Sequence, residues 1–147
     1  MEKKTAMLCT SILIGLFNKD SVVVEKSFAY CKDYEFKISP LVYYEFLRGA
    51  YNNSDLIPKK PLDMERIMFK LGIKEITKFD RATAQSCAYL WAMMRKNNKS
   101  SCDEENDIDI LIGATASFMQ CPIWTLNKKH FLNIPELEFL DEEEDIK

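Results

Sequence analysis

Two carboxylates and a few oxygen-bearing neighbours are the residues of this chain with chemistry in them. Asp109, with Asp107 two positions before it, precedes an apolar run from Ile110 to Met119. Glu45 falls one turn into a helix-like stretch that Pro40 opens. Thr125 and Asn127 follow the short apolar segment Pro122-Ile123-Trp124, and Cys9, Thr10 and Ser11 follow another, Thr5 to Leu8. If the apolar segments are parallel strands, all these residues lie at strand ends or helix starts along one edge, where open α/β sheets hold their ligands. Carboxylates gathered among oxygen donors are hard-ligand sites for Mg²⁺ or Mn²⁺. Such a cation activates water and stabilises an in-line phosphoryl transfer.

Each residue also has a plainer reading. Glu45 suits the solvent face of an amphipathic helix. Asp107 and Asp109 suit a helix start, where the N-terminal partial charge favours acids. Asn127 shapes turns, and Cys9 is of the type that fills cores as a small apolar residue. Lys128, Lys129 and His130 make either a solvated face or phosphate contacts at a crevice rim. Only the joint placement of these residues favours a metal site.

The elements that would position them follow from the chain order. Thr5–Leu8 reads as a strand, then Ile12–Phe17 as a helix capped by Thr10 or Ser11. Ser21–Lys32 reads as a helix, Glu35–Ser39 as a strand, and Leu41–Tyr51 as a helix with Pro40 at its first turn. Residues 52–61 form a loop, Leu62–Leu71 a helix stopped by Gly72, and Ile73–Phe79 an alternating third strand. Asp80 caps a long helix, Arg81–Lys96, and a polar stretch, 97–105, follows. After the Asp109 helix and the Pro122–Trp124 strand comes a turn, and Leu137–Leu140 is a last short strand. Alternation of this kind predicts a parallel sheet sandwiched by helices.

The totals are compatible with this. A length of 147 residues suits one domain. The domain is placed at 1–140, followed by a tail, 141–147, in which every residue from Asp141 to Asp145 is acidic. A net charge of −3 gives no global positive field, though local lysines can still meet a nucleic acid. Five cysteines without CxxC spacing point to a reducing compartment, and a single histidine argues against zinc. No apolar run reaches the roughly 20 residues of a spanning helix. A cytoplasmic protein is the expectation, with no membrane partner. A Gly-rich phosphate loop is missing, which weighs against nucleoside-triphosphate chemistry.

With these residues in view, the chain resembles the PIN domain family, and within it the VapC-type toxins of bacterial toxin–antitoxin pairs. The segment MLCTSILIGLF is similar to the family's opening L-D-T-S-x-L-I, and ISPLVYYEFLRGA to the segment carrying its second acid. DILIGATA is close to D-x-L-I-A-A-T-A, and WTLNKKHF is similar to the closing T-x-N-x-x-x-F. The resemblance implies a three-layer α/β/α fold around a mainly parallel four- or five-stranded sheet. It implies a Mg²⁺- or Mn²⁺-dependent endoribonuclease that forms a homodimer and is neutralised by a cognate antitoxin. By the same resemblance, Glu45 and Asp109 would hold the metal and Asp107 is an extra candidate. Asn127 and Thr125 would position water or phosphate, and Thr10 and Ser11 neighbour the first acid. Arg48, Lys128 and Lys129 would meet the RNA backbone.

The chain departs from the family pattern at one place: Cys9 stands where the first acid belongs. A thiol is a softer ligand, and with an unperturbed pKa of about 8.5 it forfeits a fixed negative charge at neutral pH. Three outcomes stay open. Activity persists through Asp107 or water-mediated binding, or catalysis is lost while RNA or protein binding is kept, or Cys9 is an introduced change. Which RNA, which antitoxin, which metal and what dimer geometry are not written in the sequence.

Overall fold

The computed structural model describes residues 2–52, 60–73, 76–97 and 107–140. The organising strand is β1 (Lys4–Leu8). It pairs in parallel with β2 (Tyr34–Lys37) on one side, in the register Lys4↔Tyr34 to Met7↔Lys37. On the other side it pairs in parallel with β3 (Ile123–Trp124), through Met7↔Ile123 and Leu8↔Trp124. A central parallel strand is covered on both faces, which is why Ala6, Met7 and Leu8 are apolar without alternation and all buried. One further parallel bridge extends the sheet at each edge: Ile76 joins Ile38, and Phe139 joins Ile123.

Those two bridges are all that appears, among the described residues, of the strands expected at 73–79 and 137–140. Thr77 N–H donates to the Ile38 carbonyl, and Leu140 N–H to Ile123, so both segments run as edges with a single rung each. Residues 74 and 75, residues 53–59 of the loop expected at 52–61, the polar stretch expected at 97–105 beyond Asn97, and the acidic tail 141–147 lie outside the described residues, while Asn52, Lys60, Pro61 and Asn97 belong to helices.

Among the described residues six helices flank the sheet: α1 (Thr10–Phe17), α2 (Ser21–Tyr30), α3 (Pro40–Asn52), α4 (Lys60–Lys70), α5 (Arg81–Asn97) and α6 (Asp107–Phe118). Their ends follow local chemistry. Asp20 Oδ1 accepts from the N–H groups of Val22 and Val23 and starts α2, and Ser39 Oγ accepts from Val42 N–H at the start of α3. Asp80 Oδ1 accepts from both the N–H and the hydroxyl of Thr83 and starts α5. Gly72, at φ +71°, ends α4 with the Ile73 N–H returning to the Met68 carbonyl, the left-handed stop that glycine favours. The cap expected from Thr10 or Ser11 is not formed. Cys9 is the cap residue of α1 and makes no side-chain cap bond, while Ser11 uses its hydroxyl elsewhere. Trp124 closes the core against the rings of Tyr30 and Phe36, at centroid distances of 5.1 and 5.8 Å.

Candidate functional site

Because all three strands are parallel, their carboxyl ends share one edge. The β1–β3 register continues one step past the strands: Cys9 N–H donates to the Trp124 carbonyl at 3.0 Å, which sets Cys9 beside Thr125. Helix α1 starts immediately after Cys9 and places Ser11 over the same spot. Ser11 Oγ accepts from Leu126 N–H at 3.0 Å and lies 3.3 Å from Thr125 Oγ1, which accepts in turn from Asn127 N–H at 3.1 Å. Two hydroxyls more than a hundred positions apart thus clasp the start of α1 to the loop after β3.

Cys9 is 3% exposed. Burial pushes its thiol pKa up, and the negative field of Asp109 adds to this. The Ser11 N–H and the hydroxyls of Thr125 and Ser11 act in the opposite direction without reversing it. The thiol is therefore neutral at neutral pH, and Asp109 lies close enough to act on it. Asp109 itself, in the first turn of α6, has a side chain 22% exposed. Its Oδ2 lies 2.9 Å from Nδ1 of His130, whose side chain is 37% exposed. This pairing is the feature that sequence reasoning missed. His130 stood there only as one of three residues on a polar face, and no local spacing links it to Asp109.

The other candidates are more dispersed. Glu45 is half-buried on α3, a helix that packs against both α1 and α6. Among the described residues it makes no hydrogen bond or ion pair, so nothing ties it to the cluster. Asp107 is exposed at the first position of α6. Thr10 is buried, and its hydroxyl has no hydrogen-bond partner among the described residues. Asn127 is exposed ahead of a short 3-10 turn, Lys128–His130. Of the expected RNA contacts, Arg48 lays its guanidinium over the Tyr44 ring at 5.5 Å, and Lys128 sets Nζ over Phe139 at 5.7 Å. Lys129 is exposed.

The donors decide how well a divalent cation suits this place. Mg²⁺ needs only one or two carboxylates, with water and phosphate oxygens completing its shell. Glu45 and the Oδ1 of Asp109 are carboxylate oxygens that no group among the described residues engages, and they fit such a cation. Cys9, neutral and soft, does not. No group of three His, Cys, Asp or Glu residues is gathered among the described residues.

Away from this edge, a groove of about 730 Å³ runs between α1, α2 and α4. Leu16, Val24, Phe28 and Leu71 line it, together with the cationic side chains of Lys19, Arg66 and Lys70.

No family model matches the sequence, and no curated protein is similar to it in sequence. Solved structures are similar to it in fold. VapBC-1 from nontypeable Haemophilus influenzae superposes with a TM-score of 0.73 at 20% identity, over 93% of this chain and 97% of the other. VapBC2 from Rickettsia felis, bound to a DNA fragment of its promoter, gives 0.67 at 24%, covering 92% and 96%. A toxin–antitoxin complex from Klebsiella pneumoniae gives 0.60 at 25%, covering 90% and 94%. The fold is that of a VapC-type PIN domain. The likeness spans nearly the whole of each chain. No helix among the described residues is long and apolar enough to cross a membrane.

Proposed function

We propose that this chain is the toxin of a toxin–antitoxin pair, a Mg²⁺- or Mn²⁺-dependent endoribonuclease with a weakened metal site. The observation that carries the proposal is the meeting of Cys9, Ser11, Thr125 and Asp109 at the carboxyl edge of the sheet. Helix α3, which carries Glu45, packs against both α1 and α6. Glu45 and Asp109 would hold the cation, with Asp107 as an outer acid. When bound, the cation supplies Lewis-acid polarisation of a phosphodiester and a more acidic water.

The chain's own groups do the rest. The clasped hydroxyls of Ser11 and Thr125 fix the loop that carries Asn127, which sets its amide for a water or a phosphate oxygen. Arg48 and Lys129 meet the RNA backbone without reading its sequence, and Lys128 joins them from its place over Phe139. Cys9 lowers the negative charge of the site, which weakens the cation and slows turnover.

The groove between α1, α2 and α4 suits the apolar face of an amphipathic helix whose acidic side meets Lys19, Arg66 and Lys70. A small antitoxin is the partner proposed for it, by analogy with the complexes similar in fold. A homodimer in the cytoplasm completes the proposal. A second reading, favoured by the neutral thiol at Cys9, keeps the fold and the partner and drops cleavage.

The test is incubation of the native protein, Cys9→Asp and Asp109→Asn with structured RNAs and Mn²⁺. Slow cleavage by the native protein, faster cleavage by Cys9→Asp and none by Asp109→Asn is expected. Intact RNA with both native and Cys9→Asp proteins, each correctly folded, leaves only the binding module.

A further inference from the structure

The proposed chemistry leaves the chain's one histidine without a task. We infer that His130 is a positioning residue for Asp109, an inference that deepens the proposed function and concerns the same site. A carboxylate only accepts hydrogen bonds, so across 2.9 Å it is the His130 Nδ1–H that donates to Asp109 Oδ2. One oxygen of Asp109 is committed to the ring, and Oδ1 is left for a ligand.

The pair is too exposed to contribute much stability by itself, yet the backbone around His130 is firmly placed. His130 N–H donates to the Asn127 carbonyl at 3.0 Å and Phe131 N–H to the Lys128 carbonyl at 2.9 Å, which closes the 3-10 turn. Phe131 is buried and packs directly on Gly113, where a Cβ would come within 2.9 Å of its ring. Asp109 and Gly113 are four residues apart on α6 and so lie on one face, a turn from each other. Consecutive residues of the closing turn, His130 and Phe131, therefore dock on successive turns of that face. The bare Gly113 lets the backbone approach closely enough for the imidazole to reach Asp109. A ring held from its own backbone, donating to a ligand-bearing acid, fixes that acid's orientation before any ligand arrives.

Two measurements test this, and the single histidine makes both unambiguous. The first is ¹⁵N NMR of the imidazole in the metal-free protein at a fixed pH above 8. The Nδ1–H tautomer is expected in the native protein and its loss in Asp109→Asn. An Nε2–H tautomer in the native protein, indifferent to Asp109→Asn, overturns the inference.

The second is Mn²⁺ affinity, by electron paramagnetic resonance, of His130→Ala, His130→Asn and His130→Gln. The Asn amide nitrogen sits where Nδ1 does, whereas Gln mimics Nε2. A loss of about 10- to 100-fold is expected for Ala and Gln, with Asn recovering most of it. Native affinity in all three variants overturns the inference. If the tautomer behaves as expected but the native protein takes up no Mn²⁺, His130 still orients Asp109 and the proposed nuclease falls instead.

Discussion

Gly113→Ala pits helix propensity against packing, and the structure says which should win. Alanine for a mid-helix glycine gains about 1 kcal/mol in propensity alone, and alanine is what the similar family signature carries here. In this fold the added Cβ runs into Ile134 Cδ1, approaches Phe131 Cδ1 to 2.9 Å and touches Leu137 Cδ2 at 3.4 Å. Ile134 and Phe131 are both buried, so neither has open space to swing into. Overpacking of this kind costs about 1–3 kcal/mol. The net expectation is a loss of about 1 kcal/mol, or roughly 3 °C in Tm for a domain of this size. Ile134→Val removes the offending Cδ1 at its own cost of about 0.5–1.5 kcal/mol. In that background Gly113→Ala should cost nothing further, which amounts to a coupling of about 1 kcal/mol between the two positions. Urea unfolding of the four proteins measures it. A Gly113→Ala protein that is simply more stable than the native one, with additive effects in the double variant, would refute the close approach of the closing turn to α6.

Other outcomes follow from single residues. Cys9→Asp places a second carboxylate in a buried position within the field of Asp109. It should unfold more easily than the native protein without metal and gain about 2.7 kcal/mol in all from Mn²⁺ at a hundredfold excess over its own Kd, more than the native protein gains at that concentration; equal melting shifts in the two proteins would count against a cation there. Gln120 ends α6 in the left-handed region at φ +55°, with Cys121 N–H returning to the Ala116 carbonyl. Gln120→Gly should therefore raise stability by up to about 1 kcal/mol in chemical denaturation. The N–H and hydroxyl of Thr83 hold the Asp80 carboxyl below the usual aspartate range. Its capping contribution is thus complete above the ordinary value near 3.9 and is lost as pH falls through the lower folded value. Asp80→Ala should remove that acid-side dependence from hydrogen exchange at the start of α5.

The parts of the fold legible in the sequence were those set by local chemistry. Pro40, Asp80 and Gly72 mark helix ends through their own side chains or backbone freedom, and the helices begin or stop close to where these residues stand. Strand length was less legible. The alternation in Ile73–Phe79 describes a half-buried edge, but how many rungs an edge makes depends on its neighbour, and among the described residues Ile76 makes one, with Ile38. At the site, the edge shared by Cys9 and Thr125 follows from parallel pairing, which chain order predicts. The Ser11–Leu126 and Asp109–His130 bonds do not, since they need the register of β1 on β3 and the packing of a turn on Gly113. Ser11 could cap its helix or cross to the loop, and only the three-dimensional arrangement selects between the two.

The central claim is that Glu45 and Asp109 share one cation, and a double-mutant cycle on Mn²⁺ binding reaches it most directly. Titrations would compare the native protein, Glu45→Gln, Asp109→Asn and the variant carrying both. Each single change is expected to weaken binding at least tenfold, and the second to add little once the first is made, because either loss already dismantles the same site. Native-like affinity in Glu45→Gln, or losses that simply multiply, would contradict a shared ligand.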